Sequence, residues 1–465
     1  MTRIDTYYFL GIGGIGMSAL ARYFAAKGHR VLGYDRTPSS LTRLLEDEGI
    51  SIHYDDHIDR VQSLDVQHTI VVLTPAIPDS LALLQWFRQH QFQILKRAQL
   101  LGLITRSVPT LSVAGTHGKT TTSTLLAHIL HQSHIGSNAF LGGISCNYGT
   151  NLLLDNSDNF VVEADEFDRS FHHLTPYISV ITSMDADHLD IYGSEQAYRE
   201  SFEQFASQVQ HALVLKRGLQ LRNSADIPAT IYTYDSFSPS TPYTDTLPHF
   251  YASNIRVTGG EIYFDFHTPT HTVADIRLGV PVWINIENAV AAMAVAHLVG
   301  ATDDELRTAV ATFAGVHRRF NIHVNTPQVA YVDDYAHHPV ELQACIDSVR
   351  LLYPNRHVLG VFQPHLFTRT RDFADDFARA LSSLDETVLL PIYPAREEPI
   401  AGVNSEYLML KIATQRVLLH SADILPNFLR ERVKQLLAHG KDCVVVTMGA
   451  GDIDRYTNDI TTKIL

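Results

Sequence analysis

Two glycine-rich turns, each lying between an apolar strand run and a helical run, constrain this chain more than any other feature. The first is Gly11-Ile12-Gly13-Gly14-Ile15-Gly16, between the run Thr6–Leu10 and the helical pattern Met17–Ala26. Glycines there let the backbone approach a pyrophosphate, and the helix N-terminus turns N–H groups and the positive end of its dipole toward it. Asp35 closes the next strand, Arg30–Tyr34, where a carboxylate would meet a ribose hydroxyl. The second turn is Gly115-Thr116-His117-Gly118-Lys119-Thr120-Thr121-Thr122, between Thr110–Ala114 and the helical pattern Thr120–Gln132. It is a shortened phosphate loop, whose N–H groups cradle phosphates while Lys119 neutralises the β/γ end and the Thr120 hydroxyl faces Mg²⁺. Together the loops predict a protein that holds a diphosphate-bearing nucleotide and also ATP. A dinucleotide-dependent oxidoreductase would use the first alone, and a simple NTPase the second alone.

The rest of the chain keeps the alternation of strand and helix, which implies parallel sheets with crossover helices. Strands are expected at Thr69–Leu73, Phe160–Val162, Ile178–Ile181, Ala330–Asp333, His357–Val361, Thr387–Leu390 and Cys443–Thr447, and helices at Ser40–Glu48 and Asn288–Val299. Residues 217–275, rich in Ser, Thr, Pro and Tyr, read as a β excursion with a hairpin turning at Gly259-Gly260. The fold class is α/β in three domains: Rossmann-like (1–107), P-loop ATPase-like with the β excursion (108–318), and Rossmann-like again (319–465).

Composition narrows the function classes. An apolar share of 45% with 18% charged residues excludes wholesale disorder. A net charge of −14 leaves no basic excess to coat a nucleic-acid backbone. No apolar run approaches the ~20 residues of a membrane span. Cys146, Cys345 and Cys443 lie far apart and form no CxxC pair, which argues against a disulfide framework or a cysteine zinc site. The expectation is a cytoplasmic protein, monomer or homodimer, with no nucleic-acid partner and no membrane insertion.

Glu163-Ala164-Asp165-Glu166 and Asp185-Ala186-Asp187-His188 end two consecutive strands of the central segment. Such strand ends sit beside the phosphate loop, where carboxylate oxygens would hold Mg²⁺. Histidine is a less usual ligand for that ion, and a solvated acidic loop is the alternative reading.

The ordered set GTHGKTTT, EADE, DADHLD, NIENA (Asn285–Ala289), GVHRRF (Gly315–Phe320) and DDYAHHP (Asp333–Pro339) resembles the Mur ligase family, ATP-dependent amide-bond formers of peptidoglycan synthesis. The resemblance spans essentially the whole chain. GIGGIGMSALA, PHLFTRTRDF (Pro364–Phe373) and MGAGDI (Met448–Ile453) are similar to the stretches of the member that joins L-alanine to the lactyl carboxylate of UDP-N-acetylmuramate through an acyl phosphate. The resemblance implies UDP-sugar contacts at Gly11, Gly13, Gly14, Ile15, Gly16, Asp35, Thr74, Pro75 and Ala76, with His57 a further neighbour of the uridine. It implies ATP contacts at Gly115 to Thr121, Asn285, Asn288 and Asp334. Its metal ligands match Thr120, Glu163 and His188, and its sugar-facing loop matches Leu141–Gly143 and Asn147–Gly149. Its hinge arginine matches Arg318 or Arg319, and we take Arg319 with Lys119, His337 and Arg369 as catalytic. The amino-acid pocket falls on Tyr335, His337, His365 and Arg369, where an arginine pairs with the alanine carboxylate and a histidine takes a proton from its ammonium.

Structural alternatives stand beside several of these assignments. Asn285 also reads as a helix N-cap, His337 and His338 as a helix-opening turn before Pro339, and Arg369 and Arg371 as an exposed basic turn. Two positions depart from the family pattern: Leu366 stands where an arginine is usual, and Ile284 where a histidine is usual. The role of the Tyr393–Arg396 loop does not follow from its residues. The rival functions are a sister ligase that returns a recycled tripeptide to the same sugar nucleotide, the oxidoreductase, and a non-catalytic regulator on the same scaffold. PHLFTRTRDF argues against the first, GTHGKTTT against the second, and the intact lysine, acidic and arginine set against the third.

Overall fold

The structure, a computed structural model, describes residues 4–187, 189–236, 247–395 and 397–464. It contains three sheets. The first joins β1 (Thr6–Leu10), β2 (Arg30–Tyr34), β3 (Ser51–His53), β4 (Thr69–Leu73) and β5 (Gln93–Lys96) in the order β3-β2-β1-β4-β5, all parallel. The strand order reverses beside β1, which opens a crevice at the carboxyl ends of β1 and β4. The first glycine turn and Thr74 leave those two strands.

The second sheet runs from β6 to β15: β6 (Thr110–Ala114), β7 (Asn138–Phe140), β8 (Leu152–Leu153), β9 (Phe160–Glu163), β10 (Ile178–Ile181), β11 (Ala212–Lys216), β12 (Thr230–Ser236), β13 (Phe250–Thr258), β14 (Glu261–His267) and β15 (Thr272–Arg277). Their order is β15-β14-β13-β12-β11-β10-β6-β9-β7-β8. β6, which carries the phosphate loop, lies between β9 and β10 in parallel register, so both acidic strand ends flank the loop. The expected hairpin is present: β13 and β14 pair antiparallel, with Thr258 opposite Glu261 across Gly259-Gly260.

The third sheet holds β16 (Asn321–Asn325), β17 (Val329–Asp334), β18 (His357–Phe362), β19 (Glu386–Leu389), β20 (Gln415–Leu418) and β21 (Cys443–Met448), ordered β16-β17-β21-β18-β19-β20. Only β16 among these pairs antiparallel. The α/β class with parallel and mixed sheets is as the sequence predicts.

The first two sheets form one compact unit (Met1–Gly279 with Ile286–Ala314) and the third sheet another (Val280–Asn285 with Gly315–Leu465). Within the first unit the sheets share apolar packing. Phe9, Leu20 and Phe24 belong to the same buried cluster as Phe140, Phe160 and Val162. A polar clamp adds to it: the buried Arg22 chelates Glu48, and the Asn151 amide donates to the Ile15 carbonyl at 2.6 Å and to Ser18 Oγ at 2.9 Å. In the second unit Val332 and Val446 face helix Pro339–Leu352, while Tyr331 and Val445 face helix Leu425–Ala438. Adjacent residues thus bury to opposite faces, as a sheet covered on both sides requires.

One helix differs from expectation. The Ala-rich helix spans Trp283–Leu298, beginning before Asn288, and Asn285 lies inside its first turn rather than capping it. Val282 and Ile286 are buried at this start, so packing outweighs the cap reading of Asn285. Among the described residues no helix is long and apolar enough to cross a membrane.

Candidate active site

The phosphate loop is shaped by two glycines that no other residue could replace without strain. Gly115 has φ +132°, and a Cβ there would overlap Thr182. Gly118 has φ +80° and starts helix Lys119–Gln132, and a Cβ there would stand 2.7 Å from Asn288 Oδ1. Asn288 also accepts from Thr122 Oγ1 at 3.2 Å, so the structure brings this expected ATP contact onto the loop. Thr116 Oγ1 donates to the Asp185 carbonyl at 2.7 Å and meets the Tyr198 hydroxyl at 2.9 Å. The His117 N–H donates to Ser183 Oγ at 2.9 Å, and its ring lies 3.6 Å from the Asp185 carboxylate. Thr120 is buried and Thr121 half-buried in the first helical turn.

Lys119 is folded into the protein. Its Nζ donates to the Gly115 carbonyl at 2.6 Å and lies 2.8 Å from Glu166 Oε2. Burial alone would lower the Lys119 pKa, but the carboxylates of Glu166, Glu163 and Asp165 outweigh it and raise it. Burial pushes Glu166 up to about 7 against the pull of Lys119. Sequence reasoning saw the acidic cluster but missed Glu166 as the partner of this lysine. Glu163 ends β9, and its carboxylate packs where a side chain on Gly142 would be, so the Leu141–Gly143 stretch closes over it. His188 lies outside the described residues.

At the first glycine turn, Gly11 (φ +82°) approaches Thr74 so closely that a Cβ would stand 2.7 Å from Thr74 Cγ2. These two expected contacts therefore meet at the crevice. Asp35 Oδ2 accepts the Gly13 N–H at 2.8 Å, so the carboxylate is fixed to the loop itself. Gly14 caps helix Ile15–Ala26, with Ile15 and Gly16 in its first turn. Pro75 and Ala76 are exposed beyond Thr74, and His57 is exposed at the start of turn Ile58–Arg60.

The second unit gathers the expected amino-acid residues. The rings of Tyr335 and His337 lie 5.2 Å apart, and those of His337 and His365 lie 5.9 Å apart. Arg369, 8% exposed, brings Nη1 to 3.5 Å from His365 Nδ1. Burial lowers the His337 pKa in spite of Glu341, and Arg369 adds to the shift, so the imidazole is neutral near pH 7. Asp334 accepts the N–H groups of Phe320 at 2.8 Å and Ala336 at 2.7 Å, and burial pushes it up to about 7 against Arg319. Both candidate hinge arginines lie over the Tyr335 ring, and their other partners differ. Arg318 donates to the Gly449 carbonyl at 2.8 Å and pairs with Asp454, whereas Arg319 lies near Asp334. Arg371 is half exposed and paired with Asp372. His338 caps helix Pro339–Leu352, and Glu341 accepts the N–H groups of His337 and His338.

Profiles of three domains match the chain: "Mur ligase family, catalytic domain" over residues 6–108, "Mur ligase middle domain" over 113–296 and "Mur ligase, glutamate ligase domain" over 318–451. The UDP-N-acetylmuramate–L-alanine ligase of Parabacteroides distasonis is 51% identical over 99% of this chain and 97% of its own. The chain belongs to the Mur ligase family. The protein of the same name from Phocaeicola vulgatus is 49% identical over 98% of this chain and 97% of its own. The solved UDP-N-acetylmuramate–alanine ligase of Thermotoga maritima superposes with a TM-score of 0.80 at 25% identity, covering 98% of each chain. A murein peptide ligase from Psychrobacter arcticus shares the Mur ligase fold, with a TM-score of 0.70 at 22% identity over 99% of this chain and 98% of its own.

Of the loop whose role the residues left open, Arg396 lies outside the described residues, and Tyr393 has a structural role. Tyr393 donates its N–H to the Pro364 carbonyl at 2.8 Å and accepts from Leu366 at 3.0 Å, and its ring stacks on His365. Glu397 accepts the Thr368 N–H at 3.0 Å at the start of the helix that carries Arg369. Leu366, at the position of the usual arginine, has φ +71°, a strained conformation that the pairing with Tyr393 holds.

Proposed function

We infer that this chain is an ATP-dependent ligase that joins L-alanine to the lactyl carboxylate of UDP-N-acetylmuramate, a step of peptidoglycan precursor synthesis, releasing ADP and phosphate. The observation that carries this is near-full-length identity of about half to proteins of that name. The preserved phosphate-loop lysine and the buried Arg369 support it.

A carboxylate is a poor acyl donor, so it must be activated first. Attack on the γ-phosphorus gives an acyl phosphate, which the alanine amine opens with loss of phosphate. Such a transfer needs positioning and charge neutralisation more than covalent help. Lys119 exchanges Glu166 for the β/γ-phosphates, and the N–H groups of the 115–121 loop hold the rest of the chain of phosphates. We assign nucleotide contacts to Asn285, Asn288 and Asp334, and a catalytic role to Arg319. Gly11 to Gly16, Asp35 and Thr74 to Ala76 hold the UDP. Arg369 pairs with the alanine carboxylate, His365 and Tyr335 wall the pocket, and neutral His337 takes the ammonium proton. We assign the three roles to residues 1–107, 108–318 and 319–465 and place the enzyme in the cytoplasm, with ATP and sugar nucleotide.

Thr120 and Glu163 offer hydroxyl and carboxylate oxygens, the donor chemistry that Mg²⁺ takes, and the absent side chain of Gly142 leaves room for that carboxylate. These two residues would hold the ion, joined by His188 on the family pattern. Bound there, Mg²⁺ would supply positive charge to offset the negative charge of the phosphates.

The test is ADP release with UDP-N-acetylmuramate present, with and without L-alanine. Turnover should require both. Equal ADP release without the sugar nucleotide would sink the ligase reading, and a preference for tripeptide over L-alanine would transfer it to the sister enzyme.

A further inference from the structure

We propose that Arg97 binds the diphosphate of the sugar nucleotide, with Asp165 holding its guanidinium in place. The proposal rests on the reading of the first glycine turn as the UDP site and adds a cation that no motif there supplies.

Arg97 follows the carboxyl end of β5 and opens helix Arg97–Thr105, so it lies on the edge of the first sheet where ligands bind. Its side chain rests on the glycine turn. A Cβ on Gly16 would stand 2.9 Å from Arg97 Nη1 and 3.1 Å from its Cδ. Gly16 is the second residue of helix Ile15–Ala26, whose N-terminus has no side-chain cap. A diphosphate docked on that N-terminus therefore meets the guanidinium. On its other side Arg97 Nη2 lies 3.0 Å from Asp165 Oδ2, with the arginine 20% exposed.

A guanidinium is a planar fork of five N–H donors. Nη2 keeps Asp165 while Nη1 takes a phosphate oxygen, so binding needs no separation of the ion pair. Lys96 repeats the arrangement one residue earlier, 2.8 Å from Asp168 but more exposed. The two carboxylates orient two consecutive cations, and only the arginine reaches Gly16. In a chain of net charge −14 this local cation offsets the repulsion that a diphosphate would otherwise meet.

Calorimetric titration of the full-length protein with uridine, UDP and UDP-N-acetylmuramate tests this. Wild type should bind UDP far more tightly than uridine. Arg97→Ala should weaken both diphosphates about ten- to a hundredfold, the scale of a hydrogen bond to a charged group, while uridine affinity stays within twofold. Arg97→Lys should recover part of the loss as a point charge. Unchanged UDP affinity in Arg97→Ala overturns the proposal. So does an equal loss for uridine and UDP, which would make Arg97 a packing residue between the first two sheets. A wild-type protein that binds neither UDP nor UDP-N-acetylmuramate would instead refute the reading of the turn as a UDP site.

Discussion

Glu166→Gln should tighten ATP binding. In the structure the Lys119 ammonium stands 2.8 Å from the Glu166 carboxylate, with 13% and 2% of the side chains exposed. At that separation the attraction is about 6 kcal/mol for an effective dielectric constant of ~20, before desolvation is subtracted. Breaking one side of a buried pair costs ~3–5 kcal/mol. Phosphate replaces the lost partner of Lys119, but Glu166 is left without its own. Glutamine keeps the shape and an acceptor while removing the competing charge. Glu163 and Asp165 still draw on Lys119, so only part of the cost is recovered. About 1.4 kcal/mol, or tenfold tighter binding of a non-hydrolysable ATP analogue, is the expected gain. The sign with pH follows from Glu166, which stands at about 7, above an ordinary carboxyl. As pH falls through about 7 it takes a proton and releases Lys119, so wild-type nucleotide affinity should rise relative to the variant in the same buffer. Calorimetry at pH 6 and pH 8 on both proteins reads the effect. Weaker or unchanged affinity in Glu166→Gln, with parallel pH profiles, would refute the exchange of partners.

Three further outcomes follow from the same geometry. Lys119→Ala should abolish turnover yet retain UDP-N-acetylmuramate in calorimetry; loss of both ligands together would contradict two separate nucleotide sites. Arg369→Ala should raise KM for L-alanine roughly 30-fold or more, the scale of a buried charge left unpaired, with KM for ATP little changed. Arg371→Ala should leave both unaltered, since that side chain is half exposed and faces Asp372, and steady-state kinetics of the two variants decides between them. Glu397→Gln should raise KM for L-alanine several-fold through the loosened start of the Arg369 helix, and Glu397→Asp should recover part of it; an unchanged KM would remove Glu397 from the support of the pocket.

Much of this architecture is legible in the sequence for one physical reason. Strands buried on both faces, such as TIVVL and CVVVT, are continuous apolar runs, and their bounds fall where expected or within one residue. Ser51–His53, Gln93–Lys96 and the buried pair Leu152–Leu153 escape notice because two to four residues are too few to show a period. The glycine turns are legible because they encode backbone constraints that few residues satisfy. Partnerships across the sheets are not. Glu166 is visible as one of three acids at the end of β9, but only the placement of β9 beside β6 turns it onto Lys119. Arg97 and Asp165 are 68 residues apart on different sheets, and no local pattern links them. Leu366 reads as a missing arginine, yet its positive φ and pairing with Tyr393 emerge only from the folded loop.

In each loop the group that would meet a ligand already has a protein partner. Lys119 is held by Glu166, Asp35 by the Gly13 N–H, and Arg97 by Asp165. A buried charge or polar group without a partner is too costly to keep, so a fold that needs a lysine beneath a phosphate loop must satisfy it first. Ligand binding at such a site is an exchange, and its net free energy is the difference between two pairings. The internal partner lowers affinity, but it fixes the side chain near its working position and reduces the ordering required on binding. The arrangement also separates the two nucleotide sites by kind. Arg97 keeps its partner when a phosphate arrives, because its fork has donors to spare, whereas Lys119 must give its partner up. Hence charge removal at Asp165 should change how Arg97 is oriented, and charge removal at Glu166 should change what ATP must displace.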